Sequence, residues 1–455
     1  MENKLVKKYG LPTAITMVIG IVIGSGVFFK AEKVLTATSG NLGLGILAWG
    51  LGALIMIVCA YVFSLMANRY EKINGLIDYS EATIGRGYGF FMGWFMTTIY
   101  TPAMTSVLAW VSARYTCVLF GVSDITGGIC LVISCFFLVA DYAMNLLSPK
   151  LAGKFQISTT AIKLIPLIMM AVVGTIAGLF NGILVRNFTA GFITEVKGSP
   201  LLTAMVATSF AYEGWVLATS INSELRDSKK NLPLALVFGT MLVAVIYILY
   251  YIGLAGAVSN QVVMEGGEAG ARIAFSRLFS NIGGTALFVL VIISCLGTLN
   301  GLMMSATRNF YSMAIRNEGP RPDMFRTVDP VTNMPPNSGA MGVLLCAAWL
   351  LYFYGANLTK SWFGVFTFDS SEIPIVTIYA LYIPIFIAFA VKNKDLGFFN
   401  RFFMPILGVI ACAFICYACW VSHGQSIIYY LIVFAVIQAI GMLIYYRKGQ
   451  NKEIQ

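Results

Sequence analysis

The apolar positions of this chain are gathered into long runs that short polar segments separate. A helix needs about 20 mainly apolar residues to cross a bilayer, and twelve runs are close to that length or longer. They cover residues 12–34, 43–67, 88–118, 127–147, 157–180, 201–220, 231–258, 283–310, 338–355, 373–391, 403–421 and 426–446. The connections are too short for a soluble domain, so the pattern predicts an all-α integral membrane protein with twelve transmembrane helices.

The first run is interrupted by Gly24, Ser25 and Gly26, at the depth where a membrane helix is normally most regular. Each glycine costs a helix interior about 1 kcal/mol relative to alanine, and each freed backbone group needs another partner in hydrocarbon. A bound ligand is one such partner, because half-helix ends present N–H groups to anions and carbonyls to cations. The spacing of Gly20 and Gly24 also fits a small-residue packing face, which is the alternative.

A second interruption lies in the sixth run, at residues 209–215. Glu213 and Gly214 stand there in mid-span, and a glutamate at that depth costs roughly 3 kcal/mol unless it faces a cavity or a partner. If runs one to five and six to ten are two halves of opposite topology, the two interruptions correspond. We therefore expect one transporter domain, with repeats over about 12–180 and 201–391 and two further helices over about 403–446.

The composition and the distribution of charge agree with this topology. The 455 residues are 58% hydrophobic and 11% charged, which excludes a soluble globular protein. Most of the 30 Lys and Arg lie on the side of the predicted membrane that holds both termini. The positive-inside rule therefore places both termini in the cytoplasm. Topology accounts for the net charge of +10, so no nucleic-acid partner is expected.

The nine cysteines and the single histidine give no sign of a cofactor, a metal or an enzyme active site. Most cysteines lie in apolar runs, where thiols behave as small hydrophobic residues. Cys412, Cys416 and Cys419 fall on one helical stripe, and His423 cannot form a metal site alone. The sequence has no phosphate loop and no zinc-protease motif, and it pairs no serine with a histidine for catalysis, so an enzyme is not expected.

Several motifs, in the right order along the chain, resemble those of one transporter family. They are GIVIGSGVF at 20–28, IKLIP at 162–166, FAYEGW at 210–215, VIY at 245–247, and CLGTLNG at 295–301 followed by Arg308. Together they are similar to the L-type amino-acid transporters of the amino acid–polyamine–organocation superfamily, and to its bacterial serine/threonine-type or alanine/serine/cysteine-type exchangers. The resemblance implies the leucine-transporter fold, in which two five-helix repeats are inverted, helices 1 and 6 are broken, and two helices follow.

The resemblance also implies where an amino acid would bind. The residues concerned are Val22, Ile23, Gly24, Ser25, Gly26, Phe210, Ala211 and Glu213. The substrate carboxylate would dock on N–H groups of the first break, and its ammonium on carbonyls of both breaks. The Phe210 ring would act as a gate. Tyr212 and Trp215 would help to shape the pocket, with ordinary packing as the alternative.

Lys163 is the most informative single residue outside the two breaks. In the apolar fifth run it must pair, snorkel to the interface or lose its proton. The resemblance implies that it bridges the inner half of helix 1 to helix 8, with contacts near Gly20 or the stretch Thr298–Asn300, which predicts sodium independence. Tyr247 would hydrogen-bond toward the first break as the site closes, with core packing as its alternative.

The leading interpretation is a sodium-independent exchanger of neutral, small L-amino acids in the inner or plasma membrane, working by alternating access. Two alternatives stay open: proton-coupled uptake, with Lys163 or Glu213 titrating, and transport of cationic amino acids or polyamines. Both arise because Glu213 departs from the family pattern. The loop at 121–128 has no cysteine, whereas the light chains that this chain resembles use one there to join a heavy chain. We therefore expect no disulfide-linked partner.

Overall fold

Ten helices among the described residues are long and apolar enough to cross a bilayer. This computed structural model describes residues 10–24, 26–70, 75–196, 198–216, 219, 225–358 and 360–453. The ten spans are Leu42–Arg69, Arg86–Phe120, Gly128–Leu147, Pro149–Phe180, Ser228–Ala257, Ala269–Ile315, Pro336–Ala356, Ile373–Lys392, Phe399–His423 and Ser426–Arg447. The other two predicted spans are the first and the sixth, which are the two with interruptions.

The individual helices are shorter than the spans. In chain order they are α1 (Leu11–Val22), α2 (Gly26–Ala37), α3 (Leu42–Arg69), α4 (Leu76–Thr83), α5 (Arg86–Phe95), α6 (Thr101–Phe120), α7 (Gly128–Leu147), α8 (Pro149–Ile162), α9 (Leu164–Met169), α10 (Thr175–Phe180), α11 (Ile183–Thr189), α12 (Pro200–Ala211), α13 (Ser228–Ala257), α14 (Asn260–Gly266), α15 (Glu268–Ala306), α16 (Asn309–Ile315), α17 (Pro322–Phe325), α18 (Pro336–Ala356), α19 (Ile373–Lys392), α20 (Met404–His423) and α21 (Ser426–Glu453). π-Helical turns lie at Met96–Tyr100, Met170–Gly174 and Phe399–Phe403, and a 3₁₀ turn lies at Gly364–Phe366.

Helix ends follow local sequence signals. Asn41 caps α3, because its side-chain oxygen accepts a hydrogen bond from the backbone N–H of Leu44 at 2.9 Å. Pro12 and Pro200 stand in the first turns of α1 and α12, where a missing N–H costs nothing. Gly121 ends α6 with a φ of 68°, a left-handed conformation that suits glycine.

Helix α15 is not continuous. Phe279 and Ser280 have non-helical backbone angles, and the φ of Ser280 is 62°. Few residues other than glycine adopt such an angle, so it marks a sharp change of direction. The regular helix resumes after Ser280, close to the predicted start of the eighth run at residue 283.

Glycines allow α13 to approach the chain around α10 backbone to backbone. A Cβ atom at Gly174 would meet the carbonyl of Gly253, and a Cβ atom at Gly178 would meet the Cα atom of Gly256. Small residues permit this close approach between membrane helices. The contact holds α13, the helix that carries Tyr247, in a fixed position against α10.

The chain forms two compact units. The first contains Met1–Gly85, Ala161–Val291 and Ile375–Ser422; the second contains Arg86–Thr160, Ile292–Pro374 and His423–Gln455. Both predicted breaks belong to the first unit, together with Lys163 and Tyr247, whereas Asn300 belongs to the second. The bounds of the two repeats predicted from the sequence, about 12–180 and 201–391, stay a prediction.

All nine cysteines are free thiols. The buried ones are Cys59, Cys117, Cys130, Cys295, Cys346, Cys412 and Cys419, while Cys416 is half-buried and Cys135 is exposed. In the first unit the sulfur atoms of Cys59 and Cys412 lie 3.7 Å apart. These thiols fill space between packed helices.

Candidate functional site

The first break separates two short helices within one apolar run. Helix α1 ends at Val22 and α2 begins at Gly26, and Ile23 between them is extended, with φ −69° and ψ 105°. Val22 and Ile23 are buried. Ser25, which the sequence places in the carboxylate site, lies outside the described residues. The break turns the carbonyl end of α1 and the N–H end of α2 toward the same short stretch of chain.

The second break follows α12. This helix ends at Ala211, and Tyr212 to Gly214 form a turn in which Gly214 has a φ of 99°. Phe210, Ala211 and Glu213 are all buried. A glycine is needed at the third position because a side chain rarely adopts that angle.

The two broken ends are in contact. A Cβ atom placed on Gly26 would lie 2.5 Å from the Cα atom of Ala211, which is closer than any real Cβ contact. The first residue of α2 therefore touches the last residue of α12, and only glycine fits there. Two helix ends with opposite partial charges meet at this point.

Tyr247 ties α13 to the first break. Its hydroxyl donates a hydrogen bond to the carbonyl of Val22 at 2.9 Å, and its side chain is fully buried. A carbonyl oxygen has two lone pairs, so Val22 keeps one for a further donor. The Tyr247 ring also packs against Trp49 and Tyr212, with ring centroids 5.7 and 5.3 Å away.

We expect Tyr247→Phe to slow exchange about threefold to tenfold, because a hydrogen bond of roughly 1 kcal/mol to the broken end is lost while the ring packing remains. The measurement is the initial exchange rate in proteoliposomes. Tyr250→Phe is the matched control: it lies on the same helix and is buried, and its hydroxyl oxygen has no hydrogen-bond partner in the described part of the chain. Equal rates for the two variants would contradict a role for the bond to Val22.

Lys163 reaches the inner half of the first span. The residue sits between α8 and α9 and is 1% exposed, and its Nζ atom donates a hydrogen bond to the carbonyl of Gly20 in α1. The contact with Gly20 that the resemblance implies is thus present, and the side chain does not snorkel. The bond places the buried amino group of Lys163 next to the broken first helix.

The structure adds Lys30, which the sequence reasoning did not select. Lys30 lies in α2, one helical turn after Gly26, and is fully buried. Its Nζ atom is 5.0 Å from the centroid of the Phe210 ring, a cation–π arrangement worth about 2 kcal/mol when desolvated. The available signal was a lysine inside the first apolar run, where a buried charge needs a specific partner.

Tyr212 and Trp215 lie in different aromatic groups. Tyr212 contacts Trp49 and Tyr247, next to the first break. Trp215 is fully buried and packs against Phe63 and Tyr382, with centroids 5.6 and 6.2 Å away. Trp215 therefore makes the ordinary packing contacts that are the alternative to a role in shaping the pocket. Tyr212 instead packs against Tyr247, the residue whose hydroxyl donates to the Val22 carbonyl.

Asn300 makes its hydrogen bonds within the second unit. Its side-chain carbonyl accepts from Asn145 at 2.9 Å, and its amide donates to the carbonyl of Ala152 at 3.1 Å and to Gln156 at 2.8 Å. These bonds join α15 to α7 and α8. The side chain is therefore part of a polar cluster that the sequence did not reveal.

Comparisons with known proteins give a consistent picture. A family model described as amino acid permease matches residues 9–444. The serine/threonine exchanger SteT of Bacillus subtilis (strain 168) is 30% identical over 91% of this chain and 91% of its own length. The Asc-type amino acid transporter 1 of Homo sapiens is 26% identical over 75% of this chain and 66% of its own length.

A solved structure, that of MhsT in complex with L-phenylalanine, shares the fold. The two chains superpose with a TM-score of 0.56 at 14% sequence identity, over 90% of this chain and 98% of the other. Together with the all-helical architecture of the described residues, this likeness confirms the leucine-transporter fold that the motifs imply.

Proposed function

This chain belongs to the amino acid permease family, and we propose that it is a sodium-independent exchanger of small neutral L-amino acids in the cell membrane. Membership makes it a multi-pass membrane transporter of amino acids, not an enzyme. The observation that carries the finer proposal is the contact between the two broken helix ends at Gly26 and Ala211.

In the proposed site, the substrate carboxylate docks on the N-terminus of α2 and the substrate ammonium docks on carbonyls at the ends of α1 and α12. The first N–H groups of a helix and its last carbonyls have no partner within the helix, and they carry opposite partial charges. The backbone therefore binds what all amino acids share. Phe210 covers the site as a gate, with Lys30 holding its ring.

Lys163 supports sodium independence. In this class of fold, unwound backbone carbonyls and half-helix ends coordinate coupling ions such as Na⁺. Here the ammonium of Lys163 occupies the carbonyl of Gly20 in the inner half-helix. A fixed positive charge at that carbonyl replaces a cation drawn from solution, so transport proceeds without sodium.

The buried charges near the two breaks support a neutral substrate. Lys30 stacks on Phe210, and Glu213 follows Ala211 by two residues; both are buried. With Lys163 at Gly20, two basic groups and one acidic group are buried near the breaks, so a cationic substrate would add a further positive charge that hydrocarbon penalises. The similar exchanger SteT is named for serine and threonine, which are small neutral amino acids.

Proton-coupled uptake is the second candidate function, because Glu213 is a buried carboxyl at the end of the second break.

We also propose that both termini face the cytoplasm, from the distribution of Lys and Arg. No cysteine occurs in the loop between Gly121 and Gly128, so we propose that transport needs no disulfide-linked heavy chain.

Counterflow in proteoliposomes tests the proposal. Vesicles preloaded with alanine should take up labelled serine at least about tenfold faster than empty vesicles, because exchange needs an internal substrate for the return step. Uptake should be the same in sodium and in choline buffers. Arginine and putrescine should not compete, and protein-free vesicles provide the background.

Different outcomes would contradict different parts of the proposal. Uptake that ignores internal alanine would rule out exchange, and uptake that needs sodium would rule out the role given to Lys163. Uptake driven by an inward proton gradient alone would favour the second candidate. Inhibition by arginine would favour a cationic substrate.

A further inference from the structure

A polar cluster in the second unit lies outside the proposed substrate site and contains a buried carboxyl whose Oδ2 atom has no hydrogen-bond partner within the described residues. It consists of Asp141 and Asn145 in α7, Gln156 in α8 and Asn300 in α15. Helix α7 buries a single stripe of side chains, namely Cys130, Ser134, Leu138, Asp141 and Asn145. The two polar residues at the end of this stripe therefore point into protein while most of the helix surface is apolar and exposed.

The hydrogen bonds of the cluster use every amide hydrogen of the two asparagines. Asn145 donates to the backbone carbonyl of Asp141 at 3.0 Å and to the side-chain carbonyl of Asn300 at 2.9 Å. Asn300 donates to the carbonyl of Ala152 at 3.1 Å and to Gln156 at 2.8 Å. All four amide N–H groups of the two asparagines donate to other acceptors, so neither residue has one left for the carboxyl of Asp141.

Two acceptors are left over. Within the part of the chain that the structure describes, the Oδ2 atom of Asp141 and the Oδ1 atom of Asn145 are buried and have no hydrogen-bond partner. Asp141 is 7% exposed and Asn145 is 1% exposed. An unpaired buried acceptor costs about 1–3 kcal/mol, and an unpaired buried charge costs more.

Within the described residues, the Oδ2 atom of Asp141 has no hydrogen bond from the charged groups on neighbouring elements. They are Arg114 on α6, Lys150 and Lys154 on α8, and Arg308 just after α15, while α18 carries no charged residue. Arg308 donates to the carbonyl of Met304, and Arg114 lies near the C-terminal end of α6. The other ionisable residues on the helix of Asp141 are Cys130, Cys135 and Tyr142.

We propose that Asp141 is a proton-binding site, and that its proton is exchanged with the adjacent aqueous side during the transport cycle. A protonated carboxyl is neutral and carries one O–H donor, which would satisfy one of the two acceptors that the asparagine amides leave without a partner. Loss of that proton leaves a bare carboxylate and an unpaired amide oxygen where α7, α8 and α15 meet. This disfavours the arrangement in which these three helices are joined.

The site connects along one span to the proposed transport machinery. Gln156, which accepts from Asn300, lies seven residues before Lys163 in the same membrane span, Pro149–Phe180. A change at the cluster therefore acts on the span whose lysine holds Gly20. The inference extends the proposed exchange function by making its rate depend on protonation of Asp141.

The test compares wild type with Asp141→Asn, which keeps the shape of the side chain and stays neutral at every pH. Alanine–serine exchange is measured with equal pH inside and outside the vesicles. The wild-type rate should fall about tenfold as the pH rises through the range in which the carboxyl loses its proton. Asp141→Asn should change less than about twofold and match the wild-type rate at acid pH. Ser134→Ala, on the same stripe, should keep the wild-type profile.

Infrared difference spectroscopy gives a second readout that does not require transport. The wild type at neutral pH should show the carbonyl stretch of a protonated carboxylic acid, and Asp141→Asn should lack that band. An identical pH profile in wild type and Asp141→Asn, or an unchanged infrared band, would overturn the proposal. Failure of wild type to exchange amino acids would instead contradict the proposed function, and the infrared band would still decide the protonation of Asp141.

Discussion

Gly26→Val should lower amino-acid exchange by at least about a hundredfold, since misplacing a binding group by about 1 Å can cost that much. A Cβ atom at this position would lie 2.5 Å from the Cα atom of Ala211. That neighbour is backbone and cannot rotate away, so α2 and α12 must separate. The separation pulls apart the two helix ends that the substrate is proposed to bridge.

Gly50→Val is the matched control for Gly26→Val. Gly50 lies inside α3 in the same unit, and a Cβ atom built there meets nothing within 4 Å. Both variants place a β-branched residue in a membrane helix, so they share any cost in helix propensity. The measurements are exchange in proteoliposomes and the thermal midpoint of the purified protein. Normal exchange by Gly26→Val, or equal loss in both variants, would contradict the importance of the Gly26–Ala211 contact.

Lys163→Ala should reduce the maximal rate of exchange about tenfold to a hundredfold while the KM for serine changes less than about threefold. Hydrogen bonds to charged groups contribute about 1.5–3 kcal/mol, and each 1.4 kcal/mol on a rate-limiting step is a factor of ten. The lost bond joins α1 to the fifth span and does not touch the substrate. Its removal therefore affects the movement of the half-helix more than the binding of the amino acid.

Lys154→Ala provides the control for Lys163→Ala. Lys154 lies earlier in the same span and its side chain is exposed, so its removal changes the net charge equally without breaking the bond to Gly20. Substrate saturation curves in proteoliposomes, in sodium and in choline, separate the maximal rate from the KM. A large rise in KM with an unchanged maximal rate would show that Lys163 acts on binding, and equal effects of both variants would remove its special role.

Much of the fold could be predicted from the sequence because hydrocarbon imposes strong rules on length and polarity. Ten of the twelve apolar runs overlap the ten spans of the described residues, and the glycines at 24 and 26 correctly predicted the break after Val22. The π-helical turns at Met96–Tyr100 and Met170–Gly174 were not predicted. Each π-helical turn adds one residue to a turn of the helix, and the run of apolar residues looks the same with or without that extra residue.

The side-chain partners were harder to predict than the helices. The contact of Lys163 with Gly20 followed from the family motifs, whereas the position of Lys30 over Phe210 depends on how α2 packs against α12. The cluster around Asn300 joins residues about 150 positions apart. One sequence does not contain this information, because polar side chains in membrane helices show that a partner exists without showing which one.

The placement of the cysteines makes this chain well suited to site-directed labelling. Seven thiols are buried and Cys416 is half-buried; the remaining one, Cys135, lies on the apolar α7. Water-soluble maleimides therefore meet little native background, and replacing Cys135 removes the most exposed thiol. Single cysteines introduced beside the broken helix ends would then carry fluorophores or spin labels, which would report opening and closing of each face in an otherwise native protein.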